Sequence, residues 1–181
     1  ALAPYIDSKE IPMTYPIMAP DDLTQRRRAK WIVRTGWNSS QPNHPFGEYA
    51  YQVLNFRKVV ILGEDYAFSW ECAGGFQKTF EEAGGKIIQK IWTPWGVTNL
   101  SPYLAQISKD ADAVYAVYGG KMAPQFTKQY QEFGLKGKLP AIGGGATTDE
   151  QGLPSMGDEA LGIITALHYS EALDNPANKK F

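Results

Sequence analysis

The sequence is short of the residues that most protein chemistry depends on. Cys72 is its only cysteine, and His44 and His168 are its only histidines. One cysteine excludes an internal disulfide and a cysteine-rich metal site. The histidines share no HExxH or similar spacing, so no metal centre is expected and no cofactor is called for. Charge of one sign is missing too. With 18 basic and 19 acidic residues the formal net charge is -1, which leaves no electrostatic footprint for nucleic acid or an anionic membrane. The one dense basic cluster, Arg26, Arg27, Arg28 and Lys30, follows Asp21 and Asp22 and reads as a solvated face. No apolar run approaches 18 residues and no charged-then-apolar leader is present, so the expectation is a chain without a membrane span or signal peptide.

What is present is a core. A chain of 181 residues with 43% hydrophobic content can bury a real interior and make one domain or one and a half. Its organising stretch is Arg57 to Ala83, RKVVILGEDYAFSWECAGGFQKTFEEA. Val59 to Leu62 form a continuous apolar run, the pattern of a strand covered on both faces of a parallel sheet. The loop GEDYAFS stands at the carboxyl end of that strand, where open α/β sheets place their ligand crevice. Ala73, Phe76, Phe80 and Ala83 then recur at spacings of three and four, one helical face aimed at the sheet.

In chain order, residues 1 to 10 predict the tail of a helix, Ile11 to Ala19 a strand entering a loop, and Trp31 to Val33 another strand. RTGWNSSQPNHP is the best linker, and Phe46 to Phe56 resumes a helical pattern. After the organising strand come strands at Lys86 to Ile91, Ala113 to Val117, Leu139 to Ile142 and Gly162 to Leu167. Between them fall a helix capped by Ser101 with Pro102 at its first position, and a helix on Met122, Phe126, Tyr130 and Phe133 that stops at Gly134. Strands alternating with helices of this length imply right-handed crossovers and an α/β fold, a doubly wound parallel sheet with helices on both faces. Both ends read as truncated, since the first segment lacks a sheet of its own and the closing NPANKKF is a helix opening cut short.

Catalytic groups are few. Glu64 and Asp65 are adjacent carboxylates at a strand end, but neighbours on a loop diverge and make a poor acid/base pair. Gly143, Gly144 and Gly145 follow a strand and could cradle phosphate, yet they lack GxGxxG spacing and any GK[ST]. They serve equally as a tight turn or as room for a bulky ligand.

The order of segments IPMTYPIMAPDDLT, WIVRTGWNSSQ, KVVILGEDYAFSWECAGGFQKTFEEAGGKII, DADAVYAVYGG and EFGLKGKLPAIGGG, closed by GDEALGIITALHY, resembles the periplasmic solute-binding proteins of the branched-chain amino-acid transporter type. The resemblance implies a two-lobed type I periplasmic binding fold that closes on a solute and delivers it to the membrane permease of an ABC transporter. By it, residues 1–37 are the end of the first lobe and its crossover, and residues 38–181 are an incomplete second lobe. The surface that a missing lobe leaves open makes self-association an expectation. The resemblance also implies a periplasmic location and no enzymatic activity. A nucleotide-dependent α/β enzyme and a ligand-sensing module of a signalling receptor are the competing readings.

Site positions carry over one at a time. Ile17 and Ala19 fall on the loop where backbone and hydroxyl groups meet a ligand carboxylate, and Ala19 brings no hydroxyl. Asn38 falls on a hinge position that is often acidic, and Phe68 on the aromatic that lies against the ligand. Gly119 and Gly120 stand where amino-acid binders often carry aromatics, and Gly145 where an acid pairs the ligand's ammonium. With no acid at 38 or 145, a buried ammonium would be stranded at a cost of several kcal/mol. The expected ligand is therefore a small carboxylic acid lacking an amine, aromatic or otherwise, held against Phe68 and Tyr118 above the small residues.

Overall fold

The computed structural model describes residues 2–16 and 20–181. It begins with a short helix, α1 (Ala3–Lys9), and two three-residue strands, β1 (Met13–Tyr15) and β2 (Ile32–Arg34), which pair in parallel as a separate two-stranded sheet. Ile6, Tyr15, Ala29 and Ile32 make a small core of their own there. Helix α2 (Asn43–Gln52) then leads into β3 (Lys58–Glu64), α3 (Ala67–Glu82), β4 (Lys86–Thr93), α4 (Ser101–Leu104), β5 (Ala113–Val117), α5 (Met122–Glu132), β6 (Ala141–Gly144), β7 (Ile164–Ala166) and α6 (Pro176–Lys180). The last five strands form one parallel sheet in the order β4-β3-β5-β6-β7.

The apolar run at Val59 to Leu62 is explained by its place. All four side chains are fully buried, because β3 lies between β4 and β5 and is covered on both faces. Successive residues point to opposite sides. Val59 and Ile61 therefore join Phe46 and Ala50 of α2, Phe76 and Phe80 of α3, and Tyr115 in one core, while Val60 and Leu62 join Leu104 of α4, Met122, Phe126 and Tyr130 of α5, and Val114 in the other. Each side chain of this size stabilises the fold by about 1.5–3 kcal/mol when fully buried.

One polar chain crosses the first core. The Tyr115 hydroxyl donates to Asn43 Oδ1 at 2.7 Å, Asn43 Nδ2 donates to the Ser39 carbonyl at 2.8 Å, and Cys72 Sγ donates to that same carbonyl at 3.3 Å. These bonds tie the segment before α2 to the middle of the sheet. Burial holds the Cys72 thiol well above its ordinary pKa, which suits a structural thiol and not a nucleophile. Tyr115→Phe keeps the ring stacked on Phe76 at 4.1 Å but leaves the buried Asn43 oxygen unsatisfied. It is expected to lower the unfolding free energy by about 1–3 kcal/mol, measured by urea denaturation.

Three local expectations are corrected. The loop after β3 is not GEDYAFS, because the strand runs through Glu64 and α3 starts at Ala67, leaving only Asp65 and Tyr66 between them. Asp65 N continues the ladder by donating to the Thr93 carbonyl. Ser101 does not cap α4; it is the helix's first residue, and Asn99 Oδ1 accepts its N–H at 3.0 Å. The linker reading of RTGWNSSQPNHP holds only to Pro42, since α2 already begins at Asn43.

Candidate functional site

In the five-stranded sheet the chain leaves β3 toward β4 on one side, then crosses back to β5, β6 and β7 on the other. The carboxyl ends of β3 and β5 flank this switch point, the position where open α/β sheets form a crevice. Gly63 pairs with Val117 at the top of that ladder, so the residues that follow each strand meet there.

Aromatic rings from four different segments line this edge. Phe68, in the first turn of α3, has the edge of Trp37 at 6.5 Å and Tyr66 at 5.9 Å. Tyr66 in turn meets Trp95, from the turn after β4, at 4.3 Å and nearly perpendicular. Trp37 lies in the crossover between β2 and α2, and its ring stacks on His168, just past β7, at 4.8 Å and 22°. Arg34 Nη1 donates to the Trp37 carbonyl at 3.3 Å and steadies that crossover. Partial desolvation lowers the His168 pKa, so the imidazole against Trp37 favours its neutral form.

Small residues complete the edge on the other side. Gly145 opens the single turn of 3-10 helix (Gly145–Thr147) after β6, and Leu167 covers it. A Cβ on Gly119, after β5, would touch the Ala146 Cβ at 3.4 Å, so the two turns are in contact. Thr147 locks them by accepting the Tyr118 N–H and donating to the Ala116 carbonyl at 3.2 Å. The triple glycine is thus a strand end packed on its neighbour, since a Cβ at Gly143 would come within 2.4 Å of the Ala116 carbonyl oxygen.

Phe68, Trp37, His168, Leu167, Gly145, Ala146 and Gly119 therefore follow one another as an arc around the carboxyl edge. Trp37, Leu167 and His168 also border an open cavity of about 840 Å³ that runs along β7 and α2 past Phe46 and Tyr49. The acids nearby are committed elsewhere. Glu64 is buried and accepts the Gly96 N–H at 3.0 Å, while Asp65 Oδ1 accepts from Trp70 Nε1 at 3.1 Å, so the adjacent carboxylates serve separate partners. Burial and the neighbouring Glu64 push the Tyr66 phenol up to about 12, which keeps it protonated and able to donate at neutral pH.

The predicted site positions divide. Phe68, Gly119 and Gly145 come together in the arc, and Gly120 follows Gly119 with a positive φ of 54°. Asn38 is half-buried, and its Oδ1 is already used by the Gln41 N–H at 2.9 Å and the Ser40 hydroxyl at 3.1 Å. Tyr118 corrects its expectation: it is fully buried, stacked on Phe126 at 5.1 Å with its hydroxyl 3.4 Å from Thr93 Oγ1, and faces the α5 core. Ile17 and Ala19 lie outside the described residues. From sequence, Leu167 is only the end of a strand, and His168 enters only as a histidine without metal-ligand spacing. Among the described residues, no group of three or more His, Cys, Asp or Glu side chains is placed to hold a metal ion.

The family model for periplasmic binding proteins matches residues 1–181. A curated relative, Leu/Ile/Val-binding protein homolog 6 of Brucella melitensis biotype 1, is 28% identical over 184 residues, covering all of this chain and 46% of its own length. The structure of an ABC transporter substrate-binding protein from Sphaerobacter thermophilus superposes with a TM-score of 0.90 at 34% identity, over 99% of this chain and 50% of that one. A solute-binding protein of an ABC transporter from R. palustris, solved in complex with benzoate, superposes at 0.89 and 29% identity, over 99% and 49%. The chain spans about half the length of these relatives.

Proposed function

The chain belongs to the periplasmic binding protein family, and from that premise we propose that it supplies one wall of the ligand cleft of an extracytoplasmic receptor. That receptor takes up a small carboxylic acid lacking an amine and passes it to the membrane permease of an ABC transporter. In this reading residues 1–37 end one lobe and form a crossover, and residues 38–181 belong to the second lobe, whose carboxyl edge faces the ligand.

The observation that carries the ligand class is the arc itself. It presents the rings of Phe68, Trp37 and His168, the side chain of Leu167 and the turn at Gly119, and none of these described residues carries a carboxylate. An α-amino acid would bring an ammonium to a wall that cannot pair it, and an unpaired buried ion costs several kcal/mol. A flat apolar ring meets no such penalty and gains by lying against other rings. The benzoate held by the R. palustris relative supports an aromatic acid as the occupant. Binding fits the site better than catalysis, because Glu64 and Asp65 already have partners and stand apart.

A thermal-shift screen of the full-length protein tests the class. A ligand that binds only the folded state stabilises it by about 2.7 kcal/mol at a hundred times its Kd. Benzoate and related amine-free acids are expected to raise Tm, and leucine and nucleotides to leave it unchanged. A rise with leucine alone contradicts the ligand class, and a rise with nucleotides alone contradicts the receptor.

A further inference from the structure

Backbone conformation does not explain the glycine at 145, since Gly145 is not among the positive-φ residues. Its neighbour does. A Cβ built there would lie 2.4 Å from Leu167 Cβ, 2.5 Å from Cδ1 and 2.8 Å from Cγ. The two residues face each other because β6 and β7 pair in register, Gly144 opposite Ala166, so the next residue of each strand leaves the sheet at the same edge. Leu167 stays half-buried; it covers the buried Gly145 and borders the same cavity as Trp37 and His168.

We propose that Leu167 is a specificity-determining residue of the cleft. Its isobutyl group fills the volume that any side chain at position 145 would need and gives the ligand an apolar wall beside the Trp37 and His168 rings. The proposal rests on the ligand class argued above and deepens it. The absence of an acid is enforced sterically, because no carboxylate can enter at 145 while Leu167 holds its place. Specificity of this kind needs both halves, attraction for the apolar ring and exclusion of the group that would recruit an ammonium.

The consequences separate by variant. Leu167→Ala removes the wall and is expected to weaken benzoate binding by the full-length protein roughly tenfold or more, the scale for methylene-sized changes in an apolar pocket. Gly145→Glu alone collides with Leu167 and is expected to lower Tm. The double variant Gly145→Glu/Leu167→Gly removes the Cβ at 167 as well as the rest of the side chain, gives the new carboxylate room, and is expected to recover Tm relative to Gly145→Glu and to bind leucine. Calorimetric titrations with benzoate and with leucine, together with Tm, read all three. Benzoate affinity of Leu167→Ala within twofold of wild type overturns the role of Leu167, as does a Gly145→Glu defect that Leu167→Gly does not relieve. Wild-type protein that binds leucine and not benzoate overturns the ligand class instead, so the two failures are distinguishable.

Discussion

Phe76→Ala is expected to lower the unfolding free energy by about 3–5 kcal/mol, the range for removing a buried phenylalanine. Phe76 is fully buried at the meeting of three elements. Its ring stacks on Tyr115 of β5 at 4.1 Å and on Phe80, one turn along α3, at 5.3 Å, and it tilts against Phe46 of α2 at 5.9 Å. Truncation therefore opens one cavity that α2, α3 and the sheet all border. The helices cannot slide in to fill it, because they already touch closely: a Cβ at Gly47 would sit 2.2 Å from the Phe76 carbonyl oxygen. Domains of this size are stable by only about 5–15 kcal/mol, so the urea midpoint should fall steeply. A loss under about 1 kcal/mol would mean that the first core is not packed as described.

Trp37→Ala is expected to weaken benzoate binding by the full-length protein about 10–100-fold, roughly 1.4–2.8 kcal/mol. The Trp37 ring links its two neighbours in the arc, stacked on His168 and edge-on to Phe68. Buried tryptophans in binding sites commonly contribute on this scale. The residue sits in a crossover outside the two main cores, so Tm should change little by comparison with Phe76→Ala. Trp37→Phe should retain much of the affinity, since it keeps a ring for stacking. Unchanged binding in Trp37→Ala would place the ligand elsewhere on the sheet edge.

Much of this architecture was legible in the sequence, because local patterns carry it. The run at Val59 to Leu62 announced a strand covered on both faces, and the alternation of strands and helices announced a parallel sheet. The helix end at Gly134 was equally readable, for its φ of 77° suits glycine. Tyr118 was misplaced although the information was there. Strand alternation puts it on the same side as Val114 and Ala116, both in the α5 core, and it follows them inward. The loop after β3 was overestimated because Gly63 and Glu64 look like loop residues, whereas Gly63 sits against Val117 in the ladder and Glu64 is held by Gly96.

The site was only half legible, for a different reason. Its decisive contacts join residues distant in the chain: Trp37 on His168, and Leu167 over Gly145. No periodicity or short motif records a contact between the residue after one strand and the residue after another. What the sequence did carry was the shortage of acids at the predicted positions; that Leu167 packs over Gly145 is a contact it did not record.

The most direct test of the central claim is a calorimetric titration of the full-length protein with benzoate, followed by the same titration with leucine. The account predicts saturable heat from benzoate, none from leucine, and no displacement of bound benzoate by excess leucine. Saturable binding of leucine with no heat from benzoate would contradict it, because the arc at the carboxyl edge offers no group to neutralise the ammonium.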